Sequence, residues 1–173
     1  MHVLLMSAAF PPMQIAEAEH ALHLSAHLAS RNVQISILTT QGADAVHGPV
    51  RVYPIMHRWG WRELPRLRRF LTSNRPDAIL LLYLGSMYYG EPMITFAPTI
   101  ARSILPGVRF VTQFETVYGT VTSECSVPAR AVRLLVKAWA GSENVDYDLG
   151  TLVRDSDHLV ALSDSFLVRL EEA

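Results

Sequence analysis

The sequence predicts one α/β domain built on a parallel, doubly wound sheet, and three observations carry that expectation. Short, almost continuously apolar runs at 3–7, 78–83 and 108–112 suit strands buried on both faces. Between such runs lie stretches whose apolar residues recur at helical spacing. Strands and helices alternating in this way require right-handed crossovers between parallel neighbours.

The elements follow in order. The run 3–7 ends at Ala8, Ala9, Phe10, Pro11 and Pro12, where the prolines force a loop. Over 17–31, Ala21, Leu24 and Leu28 mark one helical face and His20, His23 and His27 another, and Asn32 stands where a left-handed C-cap is often needed. Val33, Ile35 and Ile37 alternate with Gln34 and Ser36, so a second strand runs to Leu38 and stops at Thr39, Thr40 and Gly42. Pro49 and Pro54 bracket a weaker strand at 50–55 and place it near the sheet edge. Leu64, Leu67, Phe70 and Leu71 define an amphipathic helix that carries Arg62, Arg66 and Arg69 on its other faces. A helix over 94–105 ends at Pro106 and Gly107. Beyond the strand at 108–112, helices are expected at 129–140 and near 145–153, then a strand at 158–162 and the start of a helix from Asp164.

Length and composition bound the function. A chain of 173 residues holds one compact domain with a real core, not two. A formal net charge of -1 does not advertise the concentrated positive face of a general nucleic-acid binder. The single cysteine, Cys125, rules out an intrachain disulfide and has no paired zinc or redox spacing, which fits a cytoplasmic address. The apolar opening is too short to span a bilayer and lacks the basic start of a signal peptide. Neither Gly-x-Gly-x-x-Gly nor a P-loop occurs, so no cofactor is expected.

In open α/β sheets ligands lie beyond the carboxyl ends of the strands. That rule selects 7–16, 39–42, 83–89, 113–118 and 163–165. Glu115, with Gln113, Thr116 and Tyr118, reads either as a substrate wall or as a polar loop capping a strand end. Tyr83, Tyr88 and Tyr89 offer either a sugar-stacking surface or a domain interface. The three histidines suit a plain solvated helix face better than a metal site, since no carboxylate or cysteine completes a ligand set. Residues 58–70 join Trp59 and Trp61 to a basic amphipathic helix. That pattern fits peripheral membrane contact, and its apolar residues equally fit a helix covering the sheet.

The ordered segments FPP, the strand ending in Leu38, Thr39 and Thr40, RPDAILLLY at 75–83, FVTQFETVYG at 110–119 and SDHLVALSDSFLVRL at 156–170 resemble the N-terminal domain of group 1 glycosyltransferases. The resemblance covers essentially the whole chain. It implies one Rossmann-like half of a two-domain GT-B fold and retaining transfer from a nucleotide-sugar donor to a sugar or lipid-linked hydroxyl acceptor. The acceptor side would lie here, and the donor would be held mainly by a second domain absent from residues 1–173. The isolated half would be silent, because transfer needs closure of two halves. Carried over by position, Pro12, Gln14, Ile15, Ala16, Tyr83, Gln113, Thr116, Tyr118 and Ser163 would bind substrate, and Glu115 would orient the acceptor hydroxyl or stabilise charge at the anomeric carbon. Two departures stand out. Ile15 and Ala16 fill the place of the family's Gly-Gly pair, and Gln113-Phe114-Glu115 occupies a stretch where many members carry a histidine. These departures motivate an alternative, a non-catalytic binding or scaffold module of the same fold.

Overall fold

The structure, a computed structural model, describes residues 1–44, 46–48, 50–115, 138 and 149–162. Its strands are β1 (His2–Met6), β2 (Gln34–Thr40), β3 (Val46–His47), β4 (Val50–Met56), β5 (Ala78–Tyr83), β6 (Arg109–Phe114) and β7 (His158–Ala161). Its helices are α1 (Ala16–Ser30), α2 (Leu64–Asn74), α3 (Ala97–Ile104) and the short α4 (Leu152–Asp155). The sheet order is β3-β4-β2-β1-β5-β6-β7, and every pairing is parallel except the two-residue hairpin of β3 with β4. With β3 set aside, the parallel strands numbered along the chain stand 3-2-1-4-5-6, the order of a doubly wound Rossmann-like sheet. The expected fold class is the observed one.

Side chains alternate across the sheet, as the period of a strand requires, and each face finds its own cover. Leu4, Met6, Ile79 and Leu81 pack with Leu67, Phe70 and Leu71 of α2 and Ile100 and Ala101 of α3. Val3, Leu5, Ile35, Ile37 and Leu82 pack on the opposite side with Ala21 of α1. The buried positions of α1 are Ala18, Ala21 and Ser25, all small, so this helix lies close to the sheet, with Leu24 and Leu28 half-buried along it. It ends in a Schellman arrangement: Asn32 takes φ 60, its N–H reaches Ala29 O, and the Val33 N–H reaches Leu28 O.

Two aspartates clamp the amino-terminal edge of the sheet by the same device. Asp77, just before β5, accepts the His2 N–H at 2.7 Å, and Asp157, just before β7, accepts the Phe110 N–H at 2.7 Å. Each carboxylate thus holds the start of the neighbouring strand in register. Arg102 binds Asp157 from α3 at 2.8 Å. The backbone bond from Phe110, with Arg102 beside it, holds the Asp157 carboxyl below its ordinary value.

Three details depart from the sequence expectation. The helix expected from residue 94 begins as a 3-10 turn, Pro92–Phe96, and becomes α-helical at Ala97, next to a second proline at position 98. β3 was not foreseen, because two residues are too few to show periodicity. Of the helical stretch near 145–153, the described part is Leu149 onward, with α4 over Leu152–Asp155. The helix at 129–140, apart from the single helical residue 138, and the segment from 163 lie outside the described residues.

Candidate functional site

The parallel order reverses direction between β1 and β5, so the crevice beyond their carboxyl ends is where such a sheet receives ligands. The chain leaving β1 first turns inward. Ser7, Ala8, Ala9 and Phe10 are all buried, and Ser7 Oγ donates to Ala9 O at 2.8 Å while accepting the Ala9 N–H at 3.3 Å. It then surfaces: Pro12, Gln14, Ile15 and Ala16 are exposed. Ile15 is extended at the start of α1 and its carbonyl accepts the N–H groups of Ala18 and Glu19, while no side chain caps the helix. The loop thus presents a bulky apolar side chain, 40% exposed, where the glycosyltransferase resemblance places small residues.

One turn further on, α1 brings His20 to the end of β6. Gln113 Nε2 lies 2.7 Å from His20 Nε2 and 3.1 Å from Glu115 Oε1, and His20 Nε2 stands 3.5 Å from that same carboxylate oxygen. An amide nitrogen has two hydrogens, so Gln113 donates to both neighbours when His20 is its Nδ1–H tautomer. Gln113 is buried, the Glu115 side chain is 13% exposed and that of His20 36%, so the group opens to solvent on the histidine side. The Glu115 N–H is anchored to Tyr83 O at 2.9 Å, which fixes where the carboxylate leaves the sheet. A carboxylate, an imidazole and an amide therefore converge at the strand ends, a set able to bind and orient hydroxyl groups.

The sequence reading reached Gln113 and Glu115 but not His20, which it grouped with His23 and His27. Those two are exposed on later turns of α1, and among the described residues no cluster of histidine, cysteine or acidic side chains can hold a metal. The signal for His20 was positional. A residue in the second turn of the helix that follows β1 stands over the strand ends, whereas 23 and 27 do not.

Tyr83 and Tyr88 are core residues rather than a stacking platform. Tyr83 packs edge-on against Phe114 with centroids 5.7 Å apart, and Tyr88 lies parallel to Tyr83. Tyr88 donates its hydroxyl to Leu82 O at 2.8 Å, and burial pushes that hydroxyl well above its ordinary value. Tyr89 alone of the three is exposed. Thr116, Tyr118 and Ser163 lie outside the described residues.

The tryptophans that suggested a membrane surface are turned inward. Trp59 is fully buried against Tyr88 and donates its indole N–H to Thr40 Oγ1 at 3.0 Å, and Trp61 packs on Phe96. Trp59 sits at φ 60, unusual for a bulky residue. Glu63 holds it there. The Glu63 carboxylate accepts the backbone N–H groups of His57, Arg58 and Trp59 at 2.8–3.0 Å and pairs with Arg66. Burial raises this carboxyl, but those bonds outweigh it and hold it below its ordinary value. Among the described residues no helix is long and apolar enough to cross a membrane.

No protein-family model and no curated protein sequence matches the chain. Among solved structures, epimerase Mth375 from the thermophilic pseudomurein-containing methanogen Methanothermobacter thermautotrophicus is similar at 15% identity and a TM-score of 0.41. The match covers 80% of this chain and 46% of that one, so the chain spans about half the length of that neighbour. At that identity and score, the likeness carries nothing about chemistry.

Proposed function

We propose that the chain is the acceptor-side half of a two-domain glycosyltransferase that moves a sugar from a nucleotide-sugar to a hydroxyl. The observation that supports this most is the group His20–Gln113–Glu115 at the open carboxyl edge of a Rossmann-like sheet. In this reading Glu115 accepts the hydrogen bond of the acceptor hydroxyl and directs a lone pair of its oxygen at the anomeric carbon. His20 stands in for the histidine that the related transferases carry on the strand end itself. As the new glycosidic bond forms, the bond to the nucleoside diphosphate breaks and the hydroxyl proton leaves with the departing phosphate. A second domain supplies the donor site and the desolvation of the cleft. The protein acts in the cytoplasm, where nucleotide-sugars serve as donors.

A second reading, a binding module that keeps the fold without transfer, is favoured by exposed Ile15 at the head of α1, where a close approach of donor phosphates is obstructed. One experiment separates the two. The gene is expressed over its full natural extent, and release of nucleoside diphosphate is followed over a panel of nucleotide-sugars. Turnover that falls by about 100-fold in Glu115→Gln supports the transferase. An intact donor half without turnover on any donor supports the binding module, and turnover by residues 1–173 alone overturns the half-enzyme reading.

A further inference from the structure

On the other side of the sheet from α1, the turn after β4 and the first turns of α2 wall a hollow of about 810 Å³. Arg58, Arg62, Arg66 and Arg69 line it, with Glu63 and Glu91 as its acidic members. Arg66 and Arg69 lie on the face of α2 opposite buried Leu67 and Leu71, and Arg62 stands just before them on the 3-10 turn Trp61–Glu63, so all three border the same hollow. The charge there is not balanced. Glu63 is committed to three backbone N–H groups and to Arg66, while Arg58, Arg62 and Arg69 have no ion-pair partner among the described residues. Four arginines against two glutamates leave a surplus of two positive charges in one concavity, and an anion seated there offsets their mutual repulsion.

We propose that this hollow is a binding site for a phosphate ester of a small polyhydroxy molecule. Guanidinium forks match phosphate oxygens two at a time, which a bare lysine patch does not. The volume is that of a small-molecule site and far exceeds a lone phosphate. At the far wall the Glu91 carboxylate lies against Gly60, where an added Cβ would come within 2.7 Å of it. An acceptor at that place suits a hydroxyl of the ester's body and disfavours a ligand that is anionic throughout. His57 and Arg58, which border the hollow, have their backbone N–H groups bound by Glu63, so that wall is held in place. The proposal does not depend on sugar transfer at Glu115.

The ester arrives either free in solution or as a lipid headgroup, and both sources are tested on the full 173-residue chain. Glycerol 3-phosphate is titrated calorimetrically, and cosedimentation is measured with phosphatidylcholine vesicles with and without phosphatidylglycerol. Binding of either probe is expected to weaken roughly tenfold in Arg62→Gln and again in Arg62→Gln/Arg69→Gln, about one charge-assisted contact per step. The control is Arg68→Gln on the same helix, which removes the same charge from a residue outside the hollow. It is expected to leave affinity unchanged, and thermal melts confirm that each variant is folded. Binding of glycerol 3-phosphate identifies a soluble ligand, and binding confined to phosphatidylglycerol vesicles identifies a headgroup. Absence of binding to both, or an equal loss in Arg68→Gln, overturns the proposal.

Discussion

His20 and Gln113 meet at 2.7 Å across 93 positions of sequence, and with the 3.5 Å approach of His20 to Glu115 this contact ties α1 to the end of β6. Because Gln113 also reaches Glu115 at 3.1 Å, removing either partner leaves the amide with one bond fewer at a half-covered position. A double-mutant cycle with His20→Ala and Gln113→Ala should give a coupling of about 0.5–1.5 kcal/mol. Urea denaturation measures it. Strict additivity would mean that the contact contributes nothing and that the site is not held together from the helix side.

Glu63 is the residue on which the turn at 57–59 depends. Glu63→Ala strands three backbone N–H groups at once and should cost about 3 kcal/mol or more, with Glu63→Gln intermediate because one oxygen remains. The same carboxylate gives the fold an acid-labile component. Its folded value is depressed, as are those of Asp155 and Asp157. Their contribution is therefore complete above the unfolded carboxylate range, roughly pH 4–4.5, and is lost as pH falls through the lower folded values. Denaturant midpoints between pH 7 and pH 2 should show wild type losing stability at the acid end while Glu63→Gln loses less. Parallel curves would show that Glu63 does not titrate differently on folding.

How much of this was legible in the sequence depended on the kind of signal each feature leaves. β5 was read to the residue, because Arg75, Pro76 and Asp77 mark its start and six apolar residues fill it. Gln113 and Glu115 are singled out by the rule that ligands sit beyond strand ends, applied to a strand expected to stop at 112; the strand runs to Phe114, so Gln113 is its penultimate residue and Glu115 the first beyond it. His20 is not singled out, since its role comes from a partner 93 positions away that no local pattern records. The tryptophans are ambiguous for a related reason. Trp59 and Trp61 flank an amphipathic helix whether they face lipid or core, and what turns Trp59 inward is Glu63 binding the backbone of the preceding turn.

Gly150 should tolerate no side chain. It takes φ +55, and a Cβ there would lie 2.6 Å from the Thr95 carbonyl oxygen and 2.8 Å from its carbon, neither of which can swing away as a side-chain tip can. The close approach is used: the next residue, Thr151, donates its N–H to Thr95 O at 2.9 Å, and its hydroxyl lies 2.7 Å from Thr99 Oγ1, whose own hydrogen goes to the Asp155 carboxylate. Gly150→Ala should destabilise by about 1–3 kcal/mol, the sum of left-handed strain and overpacking. A melting temperature equal to wild type would show that 149–155 does not dock on the head of α3 in this way.

Trp59 separates packing from hydrogen bonding in one series. Trp59→Ala empties a fully buried position against Tyr88 and should cost about 3–5 kcal/mol. Trp59→Phe keeps an aromatic ring there but withdraws the donor from Thr40, so its cost is a smaller cavity plus one hydrogen bond. Pairing it with Thr40→Val isolates the second part: if the indole N–H to Thr40 bond contributes, Thr40→Val should cost about 1 kcal/mol less in the Phe background than in wild type. The same burial sets the spectroscopic expectation. Vesicles of neutral lipid should leave the Trp59 emission unmoved, measured in a variant carrying phenylalanine at Trp61 and Trp139. A blue shift or quenching by lipid-borne quenchers would mean that the indole leaves the core and that residues 58–70 act as an interfacial anchor after all.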